Sequence, residues 1–203
     1  LLSNLTIVRR SLDARPRNPG PVYVVTVEAD LALGALPPSA RQPGIECLPE
    51  PVPAPAPRRL PPAAVDRRPL VVGAGPAGLM AALTLANAGA RPLLIERGDE
   101  ASARAPRVTR FWKDGVLDPE SNVQFGEGGA GLFSDGKLTA RSKERGRIRE
   151  FMQVLHACGA DASVLVDAEP HVGSDALLEV VPRLRERLRA LGGEVEFRAR
   201  LET

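Results

Sequence analysis

Gly73, Gly75 and Gly78 have the types and spacing to do one kind of chemistry, the recognition of a phosphate. They lie in Gly73-Ala74-Gly75-Pro76-Ala77-Gly78, directly after the apolar run Leu70-Val71-Val72 and directly before a stretch carrying Leu79, Met80, Leu83 and Leu85. After a strand, Gly73 permits a tight turn, Gly75 lets backbone approach a pyrophosphate, and Gly78 lets the next helix pack closely. The unpaired amides of that helix then face the phosphates with the positive end of its dipole. Pro76 suits the start of a helix, where its missing N–H is no loss. Gly89 suits the end, as a C′ residue. A second strand follows at Arg91 to Ile95, and Glu96 closes it, where a carboxylate can accept hydrogen bonds from ribose hydroxyls. Like-charge repulsion from Glu96 disfavours a 2′-phosphate, so the spacing points to FAD or NAD rather than NADP, without separating the first two.

A second glycine-rich stretch runs from Asn122 to Leu138, with Gly126, Gly128, Gly129, Gly131 and Gly136 in it. Such spacing disfavours regular structure and lets several backbone amides turn toward one ligand, a phosphate or an electron-rich ring edge. Phe125, Leu132 and Phe133 argue against a freely exposed loop. His171, in Glu169-Pro170-His171-Val172-Gly173, has no evident partner for acid or base work and reads as structural. Arg141, Lys143, Arg145, Arg147 and Arg149 form a basic run without aromatic residues between them, which reads as the solvated start of a helix. Cys47 and Cys158 are far apart and outside any metal or dithiol spacing. With 27 basic against 25 acidic residues, the formal charge of +2 gives no footprint for a nucleic acid. The sequence has no apolar run of membrane-spanning length and no visible signal peptide, so the cytoplasm is the expected compartment.

The elements that must position these residues can be read in outline. Leu5 to Leu12 and Val22 to Leu31 have strand composition, and Arg15 to Pro21 is dense in turn formers, so residues 1–36 read as a hairpin from a partial α+β domain. Residues 37–68 are a proline-rich linker with a tendency to polyproline geometry. Residues 69–203 read as the N-terminal part of a Rossmann-like domain in which Leu70 to Val72 is a central strand covered on both faces. A helix from Ile148 to near Gly159, then one from Leu177 to Leu191 capped by Ser174 or Asp175, lead to a last strand over Glu194 to Glu202. Pro182 conflicts with that second helix and predicts a kink or a start at Pro182. The fold class is therefore α/β, a parallel sheet with flanking helices. The start at Leu1 and the end in a strand pattern read as a piece of a longer protein.

Taken together, the motifs are familiar. Gly73-Ala74-Gly75-Pro76-Ala77-Gly78 with Glu96-Arg97-Gly98 resembles the FAD site of the glutathione-reductase-like flavoproteins, which carry two dinucleotide-binding domains. Ser11-Leu12-Asp13-Ala14-Arg15, Phe125 to Gly131, Ser134-Asp135-Gly136-Lys137-Leu138 and Pro170 to Asp175 resemble the signatures of bacterial FAD-dependent dehydrogenases of undefined substrate. The resemblance implies FAD as cofactor, a small-molecule substrate and NAD(P)H as electron donor. It implies that Gly73, Ala74, Gly75, Pro76, Ala77 and Gly78 face the pyrophosphate, and that Glu96 and Arg97 face the adenosine ribose. Gly128, Gly129, Ala130 and Gly131 would approach the pyrophosphate or flavin, Lys137 would stabilise negative charge on the reduced flavin, and Leu201 would lie against adenine. Catalytic acids and bases are not indicated, and later FAD-contacting segments lie outside this sequence. Two other readings share part of this signature: a flavin-dependent RNA-modifying protein, and a non-catalytic nucleotide-binding module that recruits partners through its prolines.

Overall fold

Tyr23, Val24, Val25 and Val27 are β-branched or aromatic residues with no room for helix-forming periodicity, and they build one half of a hairpin. The computed structural model describes residues 2–16, 20–31, 43–46, 48, 68–138 and 144–202. Most of the proline-rich linker lies outside these, as do Cys47, Arg141 and Lys143. The chain forms two units, Leu1–Ala56 with Val166–Ala168, and Pro57–Leu165 with Glu169–Thr203. Among the described residues, no helix is long and apolar enough to cross a membrane.

In the first unit, β1 (Leu2–Asp13) pairs antiparallel with β2 (Val22–Leu31), in a register running from Leu2 opposite Leu31 to Asp13 opposite Val22. Two irregularities interrupt β1, between Ser3 and Thr6 and between Ile7 and Arg9. Two strands alone are marginal in water. The hairpin gains a third partner from far along the chain: the Arg10 amide donates to Val166 O at 2.7 Å, and the Ala168 amide donates to Arg10 O at 2.8 Å. The Arg10 guanidinium meets the Asp167 carboxylate with two hydrogen bonds, 2.7 and 3.1 Å long.

The second unit follows strand, helix, strand. β3 (Leu70–Val72) is followed by α1 (Pro76–Asn87) and β4 (Leu93–Glu96), and with β5 (Glu194–Phe197) they form a sheet of order β3-β4-β5 whose strand pairs are both parallel. α2 (Ala101–Asp114), α3 (Arg145–Ala157) and α4 (Ser174–Ala190) precede β5 (Glu194–Phe197). The α/β class and the parallel sheet expected from the sequence are present. The place of β3 differs from expectation: β4 is central, β3 is an edge among the described residues, and Leu70 and Val72 are 51% and 55% exposed. An apolar run shows that a strand is meant for burial; it does not say which of its faces the same stretch of chain covers.

Helix packing follows the apolar spacing closely. α1 buries Leu79, Ala82, Leu83 and Ala86, while Met80 and Leu85 are only half-buried. α4 buries Leu177, Val180, Val181, Leu184 and Leu188. It packs on α1, and with Leu94 and Leu132 these residues belong to one core. Two details of α4 correct the sequence reading. Its cap is Gly173, and Ser174 and Asp175 are in its first turn without a side-chain cap bond, Asp175 favouring the positive end of the dipole. Pro182 lies inside the helix and does not start it. A proline in a helix interior costs about 3 kcal/mol. Each large apolar side chain buried on either side of it returns ~2 kcal/mol, so the helix continues.

Candidate functional site

The first glycine turn is built by two contacts. Gly73 takes φ +95, a backbone shape that side chains disfavour, and donates its amide to Ile95 O at 2.7 Å, which ties the turn to β4. Gly78 has no space for a side chain, since a Cβ there would stand 1.8 Å from Gly73 O. Gly75 is different. Its φ is −72, and a Cβ there would meet no protein atom within 4 Å. Gly131 also faces open space at its Cβ position, without a positive φ. Among the described residues the N-terminus of α1 has no side-chain cap, and its first turn has no acidic residue, so its leading amides are not capped by a side chain.

Glu96 binds the site together from below. It is buried, and its Oε2 accepts from Ala74 N at 2.7 Å, while Oε1 accepts from Gly98 N at 2.9 Å and Gly126 N at 3.0 Å. One carboxylate thus joins the phosphate turn, the exit of β4 and the second glycine loop. Of the roughly four lone-pair positions on a carboxylate, three are taken and one on Oε2 is left for a hydroxyl donor. The second loop then docks on the first turn: Gly128 N donates to Ala74 O at 2.8 Å, and Gly129 lies against Gly75 and Pro76, a Cβ there coming within 3.5 Å of both. Glycines separated by about fifty positions in the sequence form one rim.

Behind that rim is a buried ionic group that the sequence did not announce. Arg104 of α2 is 0% exposed and donates to the carbonyls of Asn122, Val123, Glu127 and Gly129 at 2.7–2.8 Å. Burial lowers it to about 10, Glu96 and Glu127 opposing the shift, so it stays protonated at neutral pH. Its signal was present but ambiguous: Ala101, Arg104 and Val108 share the buried stripe of α2, an arginine in a core position. The Glu127 side chain is also fully buried. Its Oε2 accepts from Ala101 N at 2.8 Å, at the start of α2, and from Arg185 Nη1 at 3.0 Å, while Oε1 has no hydrogen-bond partner among the described residues.

Burial pushes the Glu127 carboxyl up from its ordinary 4.5, and the Ala101 amide and Arg185 pull it down without cancelling the rise. A raised folded value means that protonation favours the fold: the gain is complete below the ordinary value and is lost as pH rises through the folded one. Glu127→Gln keeps an acceptor for Ala101 and Arg185 and has no proton to lose. Parent-minus-variant melting temperature is therefore expected to fall as pH rises from about 5 to about 8, in thermal melts at fixed ionic strength. A difference that is flat in pH would remove the buried-acid account.

The remaining predicted residues lie at two ends of the rim. At one end, the Arg97 guanidinium stacks 4.0 Å from the Phe125 ring centre and pairs with Glu120. The chain after β5 is fixed there too, by Ala199 N to Glu96 O at 3.0 Å and by Arg198, which grips Asp99 with two 2.6 Å hydrogen bonds. Leu201 follows this anchored stretch and is exposed. At the other end, Lys137 is exposed and its Nζ is 2.8 Å from Asp135, which raises the ammonium and lowers the carboxyl through the hydrogen bond between them. His171 bridges to Lys137 across a short antiparallel pairing, and its ring contacts Asp135 O, so the histidine fixes the loop. A largely apolar cavity of about 110 Å³ opens here, bounded by Pro76 and Met80 of α1, Gly131, Lys137, Phe151 and Leu177. The site therefore joins Gly73 to Gly78, Glu96 and Gly128 to Gly131 directly, with Arg97 and Leu201 toward one side and Lys137 toward the other.

Comparison with known proteins agrees with this geometry. Residues 71–134 match the model of the NAD(P)-binding Rossmann-like domain. An uncharacterized protein of Clostridium beijerinckii is 51% identical over 138 residues, 68% of this chain. The chain spans 26% of that relative's length. The matched segment runs from β3 through Glu96 and Arg104 into the second glycine loop as far as Ser134, and its fold is Rossmann-like.

Proposed function

We propose that the dinucleotide is FAD and that the protein is part of a flavin-dependent dehydrogenase acting on a small molecule. One observation carries the reading: Gly75 is a glycine for which the protein offers no internal reason. Neither strain nor crowding requires it, and it stands beside the uncapped amides of α1. A ligand pressed against the backbone supplies the missing reason. FAD, rather than NAD, rests on the further motifs that resemble flavin dehydrogenases, the second glycine loop among them.

When bound, FAD supplies the two-electron chemistry. The chain positions it. The α1 amides hold the pyrophosphate, the Gly128 to Gly131 loop borders it with its Gly128 and Gly129 amides bonded to Ala74 O and Gly126 O, and the spare lone pair of Glu96 accepts one ribose hydroxyl. Arg97 and Leu201 border the adenosine. Lys137, protonated and already leaning on Asp135, places positive charge at the flavin end.

Gly75→Val tests the reading. Without nucleotide it is expected to melt as the parent does, within about 0.5 kcal/mol, because nothing surrounds that Cβ. Its FAD affinity, followed by quenching of flavin fluorescence, should fall by ~100-fold, about 2.8 kcal/mol. Titration with NAD beside FAD decides the cofactor. A parent that binds NAD and not FAD, or a Gly75→Val variant that binds FAD as well as the parent, overturns the proposal.

A further inference from the structure

The four hydrogen bonds of Arg104 all end on carbonyls of one loop, and a peptide plane has two ends. In a trans peptide the C=O and the following N–H point in opposite directions, and the described chain has no cis peptide bonds. Arg104 Nη1 holds Glu127 O at 2.7 Å and Gly129 O at 2.8 Å. The N–H groups of the same two planes, those of Gly128 and Ala130, are therefore turned away from the guanidinium. That of Gly128 reaches Ala74 O in the phosphate turn. That of Ala130 belongs to the residue after Gly129, whose Cα side lies on Gly75 and Pro76. Each plane carries a dipole with its negative end on the cation and its positive end turned away from it, in the Gly128 plane onto Ala74 O, so the loop passes on the charge of a side chain that is wholly buried.

We propose that Arg104 is a positioning residue for the pyrophosphate of the bound dinucleotide, holding the Gly128 amide on the phosphate turn and orienting and polarising the Ala130 amide, without touching the ligand. The proposal rests on the nucleotide reading of the rim. The local sequence is shaped around this guanidinium: a Cβ at Gly126 would come 2.5 Å from Arg104 Cδ, and the Phe133 ring lies 4.8 Å from its central carbon. Among the described residues the hydrogen bonds of Arg104 go to carbonyls and none to a carboxylate, while Glu96 and Glu127 act on its charge from farther off. Lysine cannot reproduce this. An ammonium has three donors on a point charge, whereas the planar guanidinium has five in a fixed fork, four of them needed here.

The test compares ADP, which carries the pyrophosphate, with adenosine, which does not, by calorimetric titration of the parent and Arg104→Lys. The expected result is an ADP affinity lowered by about tenfold or more in the variant, with adenosine affinity the same within about twofold. A purely structural arginine would lower both together, and that result overturns the proposal, as does an unchanged ADP affinity. If Arg104→Lys does not fold, the Nε–H resonance of Arg104 in the parent decides: ADP should move it and adenosine should not, and a resonance indifferent to ADP overturns the proposal. A parent that binds neither FAD nor ADP removes the nucleotide reading and this inference with it; a parent that binds ADP beside an Arg104→Lys variant that binds it equally well removes only the inference.

Discussion

Gly78→Ala is expected to destabilise the second unit by ~4 kcal/mol or more and to leave no nucleotide site to measure. The added methyl carbon would sit 1.8 Å from the carbonyl oxygen of Gly73, and the nearest relief is to push the start of α1 away from the turn. That carbonyl cannot retreat, because its residue is pinned through its own amide to Ile95 O on β4. Chemical denaturation followed by far-ultraviolet circular dichroism measures the loss. A variant as stable as the parent would mean that α1 and the turn are farther apart than described. Set beside Gly75→Val, this divides one motif into two kinds of glycine. One is required by the protein and the other by what the protein binds.

Glu96→Ala is the second large effect, and it should be visible with no nucleotide present. The substitution strips the acceptor from three amides, those of Ala74, Gly98 and Gly126. A buried donor left unsatisfied costs about 1–3 kcal/mol. Allowing for local relaxation, a loss of ~4 kcal/mol is expected, a fall of roughly 10 °C in melting temperature for a chain of this size. If Glu96 served only a ribose, the melt without nucleotide would not move. Glu96→Gln should lie between the two, since one amide oxygen can still accept while its NH₂ group meets a backbone N–H.

The two effects also show what the sequence could reveal. Strand, glycine turn, helix and acidic strand end were legible because each is a local matter of residue type and spacing: Gly73, Gly78 and Glu96 lie where the spacing placed them. The docking of the second loop on the first turn was legible only as a surplus of glycine. Which amides it would present was decided by Arg104, about twenty residues upstream, and an arginine between alanines in Ala101-Ser102-Ala103-Arg104-Ala105 reads as a surface residue until the loop that covers it is known. Glu96 was read as a ligand group alone, because its three amide partners come from segments that only the folded chain brings together. The edge position of β3 and the passage of α4 through Pro182 have the same origin. Local rules give the cost of a proline or an exposed valine, and the tertiary packing that sets the final position is not written locally.

The short bridge between Arg10 and Asp167 has a consequence for the order of events during synthesis. The two residues are 157 positions apart, and Val166 to Ala168 are grouped with the hairpin although they are made after most of the second unit. A ribosome therefore exposes β1 and β2 long before their third partner exists. Contacts of such long sequence separation close late, since the loop entropy must be met before the contact rewards it. β1 and β2 are made before nearly all of the second unit and are among the last elements to be finished, and until then these apolar strands remain in the care of whatever shields nascent protein.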